Sequence, residues 1–235
     1  MLGFYDYSVW LTYMSLISAT IGIGMTIHGA GHPYWGVFFL MISGFCDAFD
    51  GRVARTKKDR TETQKKFGIQ IDSLSDLVAF GVLPVCIGYA LVGFGRDIEG
   101  IYRIEITNPV LSKLAIGFAI VILIVYVLAA MIRLAYFNVI EEERQETEVG
   151  CRKTYIGLPV TSAALIFPTI LLMQYVIPID ISIVYYWGLL ITACLFLSRI
   201  KVAKPGLRGI FVMVGVGVVI AILLLAGMLA MSHLR

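Results

Sequence analysis

Apolar residues dominate this chain in long runs separated by short polar interruptions. Runs near 9–29, 34–50, 70–94, 112–138, 156–177, 182–198 and 208–231 each approach the roughly 20 residues that a helix needs to cross a bilayer. The pattern predicts seven membrane-spanning helices and leaves almost no room for a separate soluble domain. One interruption departs from the rest: alternating apolar and polar residues in IEGIYRIEITNP, 98–109, predict a short extended piece outside the membrane. The run EEERQETE at 141–148 reads as a solvated helix end or loop.

Composition agrees with this architecture. Of 235 residues, 59% are hydrophobic and only 15% charged, with a mean hydropathy of +0.86. Soluble domains carry about a quarter charged residues. No Lys or Arg precedes the first apolar run, which is also too long for a signal-peptide core, so it is expected to stay in the mature protein.

Basic residues fix an orientation, because Lys and Arg accumulate on the cytoplasmic side. Seven lie between 52 and 66 (Arg52, Arg55, Lys57, Lys58, Arg60, Lys65, Lys66), three in 140–153 and four in 199–208. The alternate connections hold only Arg96 and Arg103. Both the 52–66 segment and the N-terminus are therefore expected inside, with the C-terminus outside. The formal net charge of +3 is too small to suggest a nucleic-acid partner, and none is expected.

Against this apolar background, four carboxylates stand out in FCDAFDGRVARTKKDRTETQKKFGIQIDSLSDLVAF, residues 45–80. On a helix, Asp47, Asp50 and Ala54 share one face at i, i+3 and i+7, and Gly68, Asp72 and Asp76 share another at i, i+4 and i+8. Two antiparallel helices joined by a loop of about a dozen residues can turn all four acids into one cleft. Such a cluster at membrane depth is costly unless cations neutralise it. Hard divalent cations, Mg²⁺, Mn²⁺ or Ca²⁺, suit oxygen ligands, and a bridged metal pair suits phosphoryl chemistry. Gly51, Ala54 and Gly68 would let a bulky ligand approach the backbone closely. Surface ion pairing with the basic neighbours is the competing reading, and four acids on two matched faces argue against it.

Other candidate chemistry is sparse. Cys46, Cys86, Cys151 and Cys194 lack metal-ligand spacing, and no disulfide or zinc site is expected. His28, His32 and His233 read as interfacial polar residues. Arg133 lies near the cytoplasmic end of the fourth span, at about the depth of the acids. It is either a snorkelling anchor or a partner for a substrate carboxylate or phosphate, and Asn138 could help orient the substrate or a loop. Arg199, Lys201 and Lys204 mark the inside boundary and could receive lipid phosphate.

The pattern Asp47-x2-Asp50-Gly51-x2-Ala54-Arg55-x12-Gly68-x3-Asp72-x3-Asp76 resembles, at all its fixed positions, the signature of the CDP-alcohol phosphotransferases. That resemblance implies an all-α polytopic membrane protein with a six-helix core, usually homodimeric, whose active site faces the cytoplasm. It also implies that Asp47, Asp50, Asp72 and Asp76 bind two divalent cations and that Asp76 is the catalytic base. Gly51, Ala54, Arg55 and Gly68 would border the CDP diphosphate. The core is then expected over 1–205, with 206–235 an additional C-terminal membrane helix. FGIQIDSLSDLVAFGVLP, the run Arg133-Leu134-Ala135-Tyr136-Phe137-Asn138, and Gly157-Leu158-Pro159 followed by Ala163-Ala164 are similar to the phosphatidylserine synthase branch. Tyr136, Thr161 and Ser15 depart from that branch, which more often has Arg, Pro and Asn there. The branch implies transfer of a phosphatidyl group from CDP-diacylglycerol to L-serine, with CMP released, in the membrane of a prokaryotic cell. Inositol phosphate or glycerol phosphate is the alternative acceptor. A cation transporter is disfavoured because the acids lie at one edge of the membrane rather than its midplane, and a prenyltransferase because more helices would be expected.

Overall fold

The structure, a computed structural model, describes residues 3–28, 33–94, 108–147, 154–175, 180–203 and 206–233. The strand predicted over 98–109 falls almost wholly outside these residues, as do His32, Arg96, Arg103, Cys151, Lys204 and the side chain of His233. Each predicted span coincides with a helical segment. They are α1 (Trp10–Ile27), α2 (Pro33–Thr56), α3 (Glu62–Asp76) running through a π-helical turn (Leu77–Val82) into α4 (Leu83–Phe94), α5 (Pro109–Thr147), α6 (Ala163–Leu172) with 3₁₀ turns at either end, α7 (Ile181–Leu197) and α8 (Leu207–His233).

Among the described residues, four stretches are long and apolar enough to cross a membrane: Trp10–Ile27, Glu62–Val92, Pro109–Glu143 and Leu207–Leu229. Val160–Tyr175 and Ile181–Leu197 are shorter apolar helices, about 24 and 26 Å long at 1.5 Å per residue. The chain is thus an integral membrane protein with a helical core. Burial is concentrated where the helices meet: Leu40, Phe80, Leu83, Tyr126, Phe167 and Tyr185 are all fully enclosed.

α1 and α2 pack closely because small residues line their contact. A side chain at Gly22 would meet Phe39 Cβ at 2.7 Å, and one at Gly36 would run into Thr26 Oγ1. Close approach through small residues is how membrane helices gain van der Waals contact. Ser15 and Ser43 add reciprocal bonds, each hydroxyl donating to the other's carbonyl, at 3.4 and 3.0 Å.

Three features differ from the sequence expectation. First, only residues 57–61 separate α2 from α3, rather than a loop of about a dozen. α2 continues through Gly51 and Arg55, and α3 begins early because Thr61 and Gln64 form a reciprocal capping box at 3.2 and 3.0 Å, which satisfies two otherwise orphaned donors. Second, α5 has 39 residues, about 58 Å, longer than the span predicted over 112–138, and the acidic run from Glu141 is its helix end, one of the two readings given for that run. Third, a small antiparallel clasp joins β1 (Thr154–Ile156) to β2 (Lys201–Ala203), where the sequence pattern suggested only the start of a span. Gly157 makes the turn out of β1: its φ is +78°, and a Cβ there would lie 2.9 Å from the carbonyl oxygens of both Phe196 and Ser198. Only glycine meets both demands without strain.

Candidate active site

α2 and α3 deliver the acids as their faces predict. Carboxylate oxygens of Asp47, Asp50 and Asp72 lie within 4.8 Å of one another. Asp50 and Asp76 are buried, at 7% and 8% exposure. Asp47 meets Asp76 and Asp50 meets Asp72 at hydrogen-bonding range. Carboxylates this close in a buried cleft repel unless a proton or cation lies between them. The donor set, oxygens only and anionic, is one a hard divalent cation would take, and Asp47, Asp50 and Asp72 could hold such an ion.

Two further groups hold Asp50. The Gly51 backbone N–H donates to its Oδ1, and Thr12 Oγ1 of α1 donates to its Oδ2 at 3.3 Å. Thr12 is itself fixed from α3, since Ser75 Oγ donates to the Thr12 carbonyl at 3.2 Å. Neither Thr12 nor Ser75 stood out in the sequence. A signal was present: Thr12, Ser15, Ala19, Gly22 and Thr26 recur at helical spacing and, with Ser18, are the buried residues of α1, a stripe of small and hydroxyl side chains in an otherwise bulky span.

Arg60, read in the sequence only as one of the basic residues that set orientation, has a structural role as well. Its guanidinium donates to the carbonyls of Ala54 at 3.5 Å and Gln64 at 3.2 Å, tying the end of α2 to the start of α3. It lies over Gly68, where a Cβ would stand 2.5 Å from Arg60 Nη2. The missing side chain at Gly68 thus admits a guanidinium, and Arg60 Nε is buried with no hydrogen-bond partner among the described residues.

Asp47, Asp50, Gly51, Arg52 and Arg55 stand at the polar end of a cavity of about 720 Å³. Leu158, Pro159 and Thr161, just after the Gly157 turn, form part of its wall. Arg133 is 6% exposed and stands behind that wall: its Nε donates to the Leu158 carbonyl at 3.3 Å, and its guanidinium lies 5.4 Å from the Phe137 ring centre. Asn138 Nδ2 donates to Ser73 Oγ at 2.8 Å, so it links α5 to the residue next to Asp72. Tyr136 is exposed. Because Asn138 meets Ser73 and the Tyr126 hydroxyl donates to the Phe80 carbonyl at 2.8 Å, Arg133 lies between the same two levels as Asp76.

The π turn follows Asp76 directly. Pro84 has no N–H, so the Phe80 carbonyl four residues earlier lacks its α-helical donor and takes the Tyr126 hydroxyl instead. Leu83 N–H reaches back five residues to Val78. Single π turns of this kind recur at functional sites. The sequence signal was Gly81 and Pro84 in FGVLP.

Comparison with known proteins adds the following. Residues 7–197 match the sequence model of a family described as CDP-alcohol phosphatidyltransferase. A protein named CDP-diacylglycerol–serine O-phosphatidyltransferase from Helicobacter pylori strain 26695 is 32% identical over 152 residues, 63% of this chain and 51% of the relative. Proteins of the same name from Saccharomyces cerevisiae and Methanocaldococcus jannaschii are 31% identical over 165 residues and 28% over 159 residues. Each alignment takes in 68% of this chain, with 51% and 57% of the relative. The chain therefore spans about half the length of these curated relatives. No solved structure matches it.

Proposed function

Because the chain belongs to the CDP-alcohol phosphatidyltransferase family, we propose that it transfers the phosphatidyl group of CDP-diacylglycerol to the hydroxyl of L-serine, releasing CMP and forming phosphatidylserine. The observation that carries this reading is the convergence of Asp47, Asp50 and Asp72 within 4.8 Å at the head of a cavity whose far end is apolar. A charged headgroup and a hydrocarbon body fit such a space.

Asp47, Asp50, Asp72 and Asp76 would hold two divalent cations, Mg²⁺ or Mn²⁺ with Ca²⁺ a further candidate, which would supply charge neutralisation of the diphosphate and Lewis-acid polarisation of its phosphorus. Arg55 and Arg52 line the same cavity and would pair with phosphate oxygens. Gly51 and Ala54 keep that border low, whereas the space over Gly68, also expected to border the diphosphate, is taken by the Arg60 guanidinium. The serine hydroxyl attacks the phosphorus that bears diacylglycerol, its proton passes to Asp76, and the phosphorus–oxygen bond to CMP breaks with the electron pair leaving on CMP. Holding both substrates in line would supply much of the rate.

Arg133, at the depth of Asp76 and against the Leu158 carbonyl, is our assignment for the serine carboxylate or a phosphate. Asn138 acts by positioning the Asp72 turn through Ser73. We place the site on the cytoplasmic side, as the basic cluster at 52–66 supports, in a prokaryotic cell membrane, with surrounding lipids as neighbours and a homodimer as the assembly. Residues 1–205 form the catalytic core in this reading, and 206–235 are an addition to it. The test is CMP release by purified protein given CDP-diacylglycerol, Mn²⁺ or Mg²⁺, and serine, inositol phosphate or glycerol phosphate in turn. Serine should be turned over fastest, and EDTA should stop the reaction. Preference for another alcohol would overturn the acceptor, and turnover in EDTA would overturn the metal assignment.

A further inference from the structure

α8 lies beyond the family match, which ends at residue 197, yet it is built into the molecule. Ile220 and Leu224 belong to the buried core, and Phe211 meets Phe49 of α2 at 6.3 Å between ring centres. The same side of α8 also borders the cavity described above: Ile210, Met213, Gly217 and Ala221 are among its lining residues, at i, i+3, i+7 and i+11. Opposite them stand Phe38, Met41 and Phe45 of α2 and Leu165 of α6.

We propose that α8 forms the outer wall of a tail compartment, which holds the two hydrocarbon tails of the CDP-activated lipid whose headgroup occupies the aspartate site, and that its residues set which tails are accepted. This rests on the donor assigned above. One continuous cavity runs from two arginines and two aspartates to a wholly apolar end, the polarity profile of an amphiphile with an anionic head. Its depth fits a leaflet. From Asp47 to Phe38 along α2 is about 14 Å, and from Ile210 to Ala221 along α8 about 16 Å at 1.5 Å per residue. Half of a hydrocarbon core of about 30 Å is about 15 Å. An occupant anchored at the carboxylates thus reaches the bilayer midplane inside the protein.

Gly217 gives the compartment an adjustable wall. A Cβ there would meet Leu165 Cδ2 at 3.6 Å and Met41 Cε at 3.9 Å, both ordinary contacts, whereas a Cβ at Gly215, two residues away, meets nothing. A larger side chain at Gly217 therefore takes cavity space, and one at the exposed Gly215 does not.

The experiment compares Gly217→Leu and Ala221→Phe with Gly215→Leu as control, using dipalmitoyl and dioctanoyl CDP-glycerolipids and, as a headgroup probe, CDP as a competitive inhibitor. Gly217→Leu should raise the KM for the dipalmitoyl donor about tenfold, the loss expected if roughly two methylenes are no longer buried. The dioctanoyl donor should suffer less, CDP inhibition should not change, and Gly215→Leu should match wild type. Ala221→Phe, at the deep end, should penalise only the longer tails, and it serves if Gly217→Leu fails to fold. Equal losses for both donors, or unchanged tail preference in both variants, would overturn the compartment. Thermal stabilisation of the wild type by the dipalmitoyl donor without any CMP release would instead overturn the assigned reaction while supporting the tail site. Neither stabilisation nor turnover would overturn both.

Discussion

Replacing Thr12 with valine removes one donor from Asp50 and little else. The side chains are similar in shape, and the bond from Ser75 goes to the Thr12 backbone carbonyl, so it survives the change. A hydrogen bond to a charged group contributes about 1.5–3 kcal/mol. At 3.3 Å this one is long, which puts it near the lower figure, about tenfold in affinity. Groups that orient metal-binding carboxylates cost 10–100-fold on mutation in general, so the two estimates meet at about tenfold. The half-saturating Mn²⁺ concentration for CMP release should therefore rise about tenfold in Thr12→Val, with the rate at saturating Mn²⁺ and the KM for serine little changed. Calorimetric titration of Mn²⁺ without substrate should show the same loss, and Thr12→Ser should restore most of it. An unchanged Mn²⁺ dependence would reduce Thr12 to packing, and an equal fall in rate at every Mn²⁺ concentration would mean that it acts on a step other than metal binding.

Changing Asp47, Asp50 or Asp72 singly to Asn should nearly abolish CMP release by removing a charged ligand; substantial turnover by any of the three would exclude that residue from the metal site. Asp76→Asn should keep part of its CDP-lipid binding while transfer stops, and loss of all binding would make Asp76 chiefly a ligand. Arg133→Lys should raise the KM for serine about tenfold or more and that for CDP-diacylglycerol far less, because a two-point contact becomes a point charge; equal losses for both substrates would point to its bond with Leu158 as its main role. The last concerns acid. Hydrogen bonding to Lys57 at 2.7 Å, aided by Ser8, lowers the Asp6 carboxyl to about 2, below an unfolded value of about 3.9. Its contribution is complete above about pH 4 and disappears as pH falls toward 2. Wild type and Asp6→Asn should thus differ in thermal midpoint at neutral pH and converge in that window, and a gap that persists at pH 2 would refute the assignment.

Much of the architecture was legible because a bilayer enforces it. Apolar runs must be helical there, so the span positions could be read directly, and the acid cleft followed from i+3 and i+4 spacing on two helices. What the chain did not disclose depends on partners distant in sequence. Thr12 meets Asp50 across 38 positions, and β1 finds β2 only after α6 and α7 have intervened. The shortened loop was readable in Thr61 and Gln64, a capping box outweighed by the charges around it. Arg133 was read only as lying at about the acids' depth, either an anchor or a substrate partner; its side chain turns toward the Leu158 carbonyl, and no periodicity foretells a contact with a backbone atom 25 residues away.

The clasp between β1 and β2 also ties the site to the order in which the chain is made. The aspartates of α2 and α3 are synthesised and inserted early, but the Gly157 turn that brings Leu158 and Pro159 to the cavity is held from the other end. Gly157 N–H donates to the Ile200 carbonyl at 2.7 Å, and Leu158 N–H to that of Leu195 at 3.2 Å. Until the ribosome has passed Ala203 and α7 has docked, the turn has no acceptors and the cavity no finished wall. A chain made only as far as α6 would carry the acids without the enclosure, so the charge cluster gains this wall only after residues 195–203 have been made and docked.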